Sequence, residues 1–113
     1  MLALDLAIGH HSDFRCSVFD EIDAGVDASA GDAIAHALSA AASGRQIIVV
    51  THLATVAAAA TSHLVIDKHH VGDTPHSTIG RVDGVDRERE IARMLTGSDD
   101  SESVTVARRL LDR

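Results

Sequence analysis

The stretch SVFDEIDAGV, residues 17–26, places three carboxylates within four positions directly after an apolar run. Carboxylates at this spacing, here Asp20, Glu21 and Asp23, repel one another. Such a cluster is therefore expected only where a cation or a reaction requires it. The apolar run itself, residues 16–19, has the pattern of a short strand that is covered on both faces. The acidic cluster is therefore predicted to lie at the end of a buried strand.

A second apolar run, QIIVV at residues 46–50, is rich in β-branched residues and is followed by Thr51 and His52. Between the two runs, an alanine-rich segment at about residues 28–43 has the apolar spacing of a helix. This order predicts a βαβ unit with parallel strands. Because neighbouring parallel strands end at the same sheet edge, ~5 Å apart, we expect the acidic cluster to lie beside Thr51 and His52.

Beyond this unit, apolar segments of helical or strand length alternate with polar turns. These segments predict one α/β domain over residues 1–113. The predicted helices are residues 2–8, 53–61, 86–95 and 101–111, the predicted strands are residues 63–67 and an edge strand at 77–82, and residues 69–77 are predicted to form a turn-rich loop.

Composition limits the class of protein. The chain has 113 residues and a formal net charge of −7, which argues against a free-standing nucleic-acid binder with a basic surface. Cys16 is the only cysteine, so no intrachain disulfide is possible, and we expect this residue to be buried in the first strand. The apolar opening is far shorter than the ~20 residues that span a bilayer, which favours a cytoplasmic protein.

An apolar strand that ends in Asp-Glu is an arrangement by which phosphoryl-transfer enzymes hold Mg²⁺ and activate a water. In that chemistry Asp20 would hold the hydrated metal and Glu21 would polarise the attacking water. His52, on the neighbouring strand, could donate a hydrogen bond to the γ-phosphate. The simpler alternative is that Asp20 and Asp23 cap the following helix and that His52 is an ordinary loop residue.

The chain also has eight histidines, which raises the question of a separate metal site. His69, His70, Asp73 and His76 could chelate a metal on the predicted loop. However, the sequence has neither an H-E-x-x-H motif nor a Cys/His zinc pattern. We therefore favour solvated loop residues as the interpretation of this cluster.

The order of these motifs resembles the C-terminal lobe of an ABC-type ATPase head of the SMC-like kind, and within that class the RecN family of bacterial DNA repair proteins. CSVFDEID at residues 16–23 resembles Walker B, and VVTHLATVAAAA at residues 49–60 resembles the switch-histidine loop. ARMLTG at residues 92–97 is a further similarity. The resemblance implies a partial P-loop NTPase lobe with a mostly parallel sheet flanked by helices.

The resemblance also implies roles for single residues. Asp20 would be the metal-side aspartate, Glu21 the catalytic glutamate and His52 the sensor of the γ-phosphate. Asp27 departs from the family pattern, and its negative charge would oppose closure of the interface between two heads. The D-loop that crosses this interface would consist of Asp23, Ala24, Gly25 and Val26.

No phosphate loop of the form G-x-x-x-x-G-K-[ST] (Walker A) and no SGGE signature occur in the sequence, and Met1 falls where the middle of such a head is expected. Because most nucleotide affinity comes from the phosphate loop, ATP and Mg²⁺ are expected only in a complete head. The chain alone is expected to be inactive as an ATPase. The implied partners are the remaining N-terminal head lobe, a second head in a homodimer, and DNA through the full assembly, with no membrane. The implied setting is double-strand break repair and recombination at the bacterial nucleoid.

Two other functions remain open. The lobe could dock on a full-length head through its D-loop face or an open sheet edge, without chemistry of its own. Alternatively, a small Mg²⁺-dependent phosphoryl-transfer domain could use Asp20, Glu21 and Asp23 directly. In that case Lys68, which follows Asp67, would have to lie near a strand end.

Overall fold

The computed structural model describes residues 15–113, apart from the side chain of Ala28, and the predicted helix at residues 2–8 lies outside them. The chain divides into two compact units, Met1–Ala59 and Ala60–Arg113. The described part of the first unit contains β1 (Cys16–Asp20), a 3-10 turn (Ala28–Ala30), α1 (Gly31–Ala41), β2 (Gln46–Val50) and α2 (Ala54–Ala59). The second unit contains β3 (His63–Val71), β4 (Thr74–Val82), α3 (Gly84–Thr96) and α4 (Ser101–Leu111).

The strands β1 and β2 form a parallel pair that is connected through α1. The register aligns Cys16 with Gln46 and Asp20 with Val50. The predicted βαβ unit is therefore confirmed. Its helix begins later than predicted because Ala28–Ala30 forms a separate 3-10 turn before α1.

The core of the first unit lies between one face of this sheet and the two helices. Ala35 and Leu38 of α1 and Val56 of α2 form its buried centre. The helical period places Ala35 and Leu38 on one face of α1, as the apolar spacing predicted. Of these three side chains Ala35 removes the least apolar area from water, whereas Leu38 and Val56 each remove more. Partly buried residues complete the cluster: Phe19, Ile22, Ile34, Ile47, Val49 and Leu53.

The opposite face of the β1–β2 sheet is exposed. Val18 is 65% exposed, while Ile48 and Val50 are each 44% exposed. Cys16 lies on the same face and is also exposed, so its predicted burial is wrong. Among residues 15–113, the buried core lies on only one face of β1. For these residues the prediction that β1 is covered on both faces is therefore also wrong.

The second unit begins with an antiparallel hairpin of β3 and β4. The loop predicted at residues 69–77 is wrong, because most of these residues lie in the two strands. His69 is paired with His76, and their rings stack with centroids 6.0 Å apart. Gly72, at a φ of 64°, allows the tight turn between the strands.

The α/β class is confirmed, whereas the predicted mostly parallel sheet is not what residues 15–113 form. Their strands make one parallel pair, β1–β2, and one antiparallel pair, β3–β4. The difference arises because β3 continues beyond its apolar half and turns back on itself, instead of joining the parallel pair. Within the described part of the chain, no helix is both long and apolar enough to cross a membrane.

The two C-terminal helices pack against each other in the second unit, and both were predicted. Ile91 and Ala92 of α3 and Ala107 of α4 are fully buried. Asp100 caps α4 by accepting hydrogen bonds from the N–H groups of Glu102 and Ser103. An ion pair between Arg108 and Glu88 joins the two helices at 2.8 Å.

The close approach of α1 to α2 gives a first prediction. A Cβ added to Gly31 would overlap Oγ1 of Thr55, so Gly31→Ala is expected to destabilise the first unit by about 1–3 kcal/mol. Thr55→Ala removes the clashing atom, and the double variant should recover most of the loss. Urea denaturation of the two single variants and the double variant measures this coupling. Additive effects of the two substitutions would contradict the packing described here.

The buried histidine of the second unit gives a prediction about pH. His63 is 8% exposed. Burial lowers its pKa below the ordinary 6.5, Arg87 lowers it further, and Glu90 opposes the shift. As the pH falls, the unfolded chain therefore binds this proton first. The contribution of the neutral, buried His63 to the free energy of unfolding is fully present above pH 6.5. It is lost as the pH falls through 6.5 towards the lower pKa of the folded state.

We expect the free energy of unfolding to be smaller at about pH 5.5 than at about pH 7.5, and His63→Gln to reduce this difference. His36→Gln is the matched control, because His36 is exposed on α1. Urea denaturation at both pH values provides the measurement. An unchanged pH dependence in His63→Gln would show that His63 is not its source.

Candidate active site

The carboxyl ends of β1 and β2 lie side by side at one edge of the parallel pair. Asp20 is aligned with Val50, and the N–H of Glu21 donates to the carbonyl oxygen of Val50 at 3.1 Å. Thr51 and His52 directly follow β2. The structure therefore brings the acidic cluster next to Thr51 and His52, as the βαβ unit predicted.

Glu21 has an unusual backbone conformation. Its φ is 50°, and it is the one residue other than glycine with a positive φ among those described. This left-handed conformation costs a residue with a Cβ about 1 kcal/mol or more. It ends β1 abruptly and begins a turn in which the N–H of Ala24 donates to the carbonyl oxygen of Glu21. Asp20 and Glu21 are both exposed, so their carboxylates are accessible to a ligand.

Asp23 faces the opposite way, into the protein, and is 2% exposed. Its Oδ2 accepts hydrogen bonds from Oγ1 of Thr51 at 2.5 Å and from the N–H of His52 at 2.8 Å. The N–H of Leu53 also donates to Oδ2, at 3.2 Å, and to Oγ1 of Thr51, at 3.0 Å. Finally, the imidazole Nδ1 of His52 lies 3.1 Å from Oδ2. One carboxylate oxygen thus joins the turn after β1 to the loop after β2.

The charge state of Asp23 follows from these contacts. Burial raises the pKa of Asp23, but the hydrogen bonds from the side chain of Thr51 and the backbone of His52, together with the His52 ring, outweigh it. The pKa therefore lies below the ordinary value of 3.8, and the group is a carboxylate at neutral pH. Its second oxygen, Oδ1, is buried and receives no hydrogen bond from another residue, so Oδ2 accounts for the whole connection.

The remaining residues of the predicted D-loop lie nearer the surface. Ala24 and Gly25 are exposed and Val26 is half-buried. The D-loop role of this segment stays a prediction. The capping alternative is wrong for Asp23, because its bonds go to the loop after β2. The local cap is Asp27, whose Oδ1 accepts from the N–H of Ser29 at 3.0 Å.

The structure tests the metal-site alternatives by geometry. No group of three or more His, Cys, Asp or Glu side chains in residues 15–113 is arranged to hold a metal ion. Asp20, Glu21 and Asp23 do not converge, since Asp23 points inward. Lys68 lies in the middle of β3, opposite Ser77, so its expected place near a strand end is wrong.

The histidine cluster of the second unit also lacks the arrangement of a metal site in the described part of the chain. His69, His70 and His76 lie on the two strands of the β3–β4 hairpin, and Asp73 lies in its turn. All four are exposed. They lie on strands and a tight turn rather than on the predicted loop, and their interpretation as solvated residues instead of metal ligands stays a prediction.

Comparison with known proteins identifies the family to which the chain belongs. No family model matches it. It is 40% identical over 111 residues to the DNA repair protein RecN of Deinococcus radiodurans. The aligned region covers 98% of this chain and 19% of that protein. The chain belongs to the RecN family of DNA repair proteins. The RecN of Mycobacterium leprae is 43% identical over 113 residues, covering 99% of the chain and 19% of that protein. The RecN of Mycobacterium tuberculosis is 46% identical over 96 residues, covering 84% of the chain and 16% of that protein.

The chain spans about a fifth of the length of the D. radiodurans and M. leprae relatives. Sequence reasoning placed Asp20, Glu21 and His52 on one edge but missed the inward contacts of Asp23. The Thr51 hydroxyl, two positions before an N–H that needs an acceptor, carries a local signal for part of this network. No residue near Asp23 in the sequence indicates that its carboxylate is buried and hydrogen-bonded, because its donors lie 28–30 positions away.

The strained backbone at Glu21 leads to a third prediction. At a φ of 50°, glycine is favoured over alanine, so Glu21→Gly should be more stable than Glu21→Ala by about 1 kcal/mol. Ser39 is an exposed residue inside α1 and serves as the matched control. There Ser39→Ala should be more stable than Ser39→Gly by about 1 kcal/mol. Urea denaturation compares the two pairs, and the same sign at both positions would contradict the left-handed conformation of Glu21.

Proposed function

We propose that this chain supplies the Walker B carboxylates and the switch histidine of an ATPase head that acts in DNA double-strand break repair and recombination. The observation that supports this most is the shared edge of β1 and β2. It presents two exposed carboxylates beside a histidine that a buried aspartate anchors. The relatives are DNA repair proteins of the RecN family, which supports the cellular role.

In the proposed reaction Asp20, Glu21 and His52 have different roles. Asp20 would help to hold a hydrated Mg²⁺, since this ion is bound through one or two carboxylates, waters and the nucleotide phosphates. The single exposed carboxylate of Asp20 at a strand end fits that partial role. Glu21 would orient and polarise the attacking water. His52, whose side chain is 76% exposed, would contact the γ-phosphate.

The ATP site would be completed by the N-terminal lobe of the head. The sequence has no phosphate loop, so the groups that bind the nucleotide phosphates must come from that lobe. The exposed apolar face of Val18, Ile48 and Val50 supports a partner at the parallel pair, because parallel sheets are normally covered on both faces. A second head would pair through the segment from Asp23 to Val26, and DNA would be contacted by the complete assembly at the nucleoid.

A second candidate function is docking without catalysis. The same exposed face favours it, as does β2, which pairs only with β1 among the described strands. An open strand edge and an apolar face are sufficient for association with a full-length head. In this case association would be independent of ATP and would survive Glu21→Gln.

The fourth prediction tests the proposed site. Mg-ATP binding and hydrolysis are measured for the chain, for a separately produced N-terminal RecN head lobe, and for their mixture. We expect the chain alone to show neither activity and the mixture to bind ATP more tightly than the lobe alone and to hydrolyse it. Glu21→Gln should retain the binding of the mixture and lower its turnover by about 10²-fold or more.

The matched control is Glu102→Gln, an equal change of charge at an exposed position in the first turn of α4. It should leave binding and turnover unchanged. A mixture that behaves like the lobe alone would contradict the ATPase proposal. If the chain and the lobe still associate in that experiment, the docking function is favoured. Turnover by the chain alone, abolished in Glu21→Gln, would show that the N-terminal lobe is not required.

A further inference from the structure

The contact between Asp23 and His52 assigns a role to a residue that sequence reasoning placed in the D-loop. We propose that Asp23 is the positioning residue for His52, fixing the imidazole with Nδ1–H towards the protein and Nε2 towards the nucleotide site. The proposal rests on the proposed function for its purpose, since the group that Nε2 would meet is the γ-phosphate or the attacking water. The orientation itself is a property of this chain alone.

The distribution of exposure supports an anchored ring. The side chain of His52 is 76% exposed, whereas the side chain of Asp23 is 0% exposed. Only one edge of the imidazole is therefore held, at 3.1 Å between Nδ1 and Oδ2. Nε2 is separated from Nδ1 by Cε1, and with Nδ1 facing Asp23 it points away from that carboxylate and is left for a ligand.

The same oxygen also fixes the backbone on which the ring is mounted. Oδ2 of Asp23 accepts from the N–H of His52 at 2.8 Å and from the N–H of Leu53 at 3.2 Å. Oγ1 of Thr51 also donates to it. With the main chain and the ring of His52 held by one acceptor, few combinations of backbone and χ1 angles remain. Such preorganisation lowers the entropy that a catalytic group loses when it meets its target.

The chemistry of the acceptor fixes the tautomer. Asp23 accepts a hydrogen bond from the side chain of Thr51 and from two backbone N–H groups, so its Oδ2 acts only as an acceptor in this network. A nitrogen lone pair and a carboxylate oxygen 3.1 Å apart would repel each other, so Nδ1 is the nitrogen that carries a hydrogen atom. In the neutral ring Nε2 is left with a lone pair that can accept a hydrogen bond from the attacking water. In the protonated ring Nε2–H can donate to a phosphate oxygen.

The test reads the tautomer directly, without ATP. The long-range ¹H–¹⁵N spectrum of the labelled chain is recorded at about pH 8, above the ordinary pKa of histidine, and the signals of His52 are assigned by their loss in His52→Gln. We expect wild-type His52 to be mainly the Nδ1–H tautomer, and Asp23→Ala to convert it mainly to the Nε2–H tautomer. The control is Thr51→Ala, which removes another donor to the same oxygen and should retain the Nδ1–H form.

Each outcome decides the proposal. A mainly Nε2–H form of His52 in the wild-type chain overturns it, even if Asp23→Ala fails to fold. A loss of the Nδ1–H form in both variants also overturns it, since Asp23 would then act only as part of the loop scaffold. The result is separable from the ATPase proposal. The Nδ1–H form together with absent nucleotide binding in the mixture would retain the positioning role of Asp23 and reject the function built on it.

Discussion

The first unit depends on one buried acceptor, Oδ2 of Asp23. The crossover through α1 brings the ends of β1 and β2 together, but it does not by itself fix the turns that follow them. Asp23 does so by accepting three hydrogen bonds from residues 51–53. A buried N–H or hydroxyl that loses its partner costs about 1–3 kcal/mol. The geometry of the candidate site and the stability of this unit therefore rest on the same contacts.

This arrangement separates three nearby carboxylates by environment. Asp20 and Glu21 are exposed, and the strained backbone of Glu21 turns the chain so that Asp23 enters the interior. Repulsion within the cluster is thereby reduced, because the third carboxylate is surrounded by donors and its pKa is lowered. The acidic cluster that first suggests a metal site is thus divided into a pair that faces solvent and a single group that organises the neighbouring loop.

The features that could be predicted from the sequence are those with a local cause. The β-branched run of β2, the apolar spacing of α1 and the limits of α4 agree with the structure because each follows from residues within one element. The hairpin of β3 and β4 was missed at residues 69–77, since polar and histidine residues there carry no strong strand signal. Its pairing, such as His69 with His76, becomes favourable only when both strands are present.

The candidate site divides in the same way. The positions of Asp20, Glu21 and His52 at one edge follow from two strand ends and the rule for parallel crossovers. The burial of Asp23 does not, because a carboxylate is drawn inward only when several donors from another segment meet it. Its own neighbours, Ile22 and Ala24, give no sign of those donors.

The exposed face of the β1–β2 pair connects the stability of this chain with the proposed assembly. Four of the buried residues beside it are alanines, Ala35, Ala41, Ala54 and Ala57, and the face with Val18 and Ile48 stays largely open to solvent. A partner that covers this face binds only the folded chain, and at 100 times its Kd such a partner adds about 2.7 kcal/mol to stability. On the proposed function, the lobe that supplies the phosphate loop would also supply this stabilisation. Completion of the ATP site and completion of the fold would then be the same binding event, with Asp23 holding the site's geometry on this side of the interface.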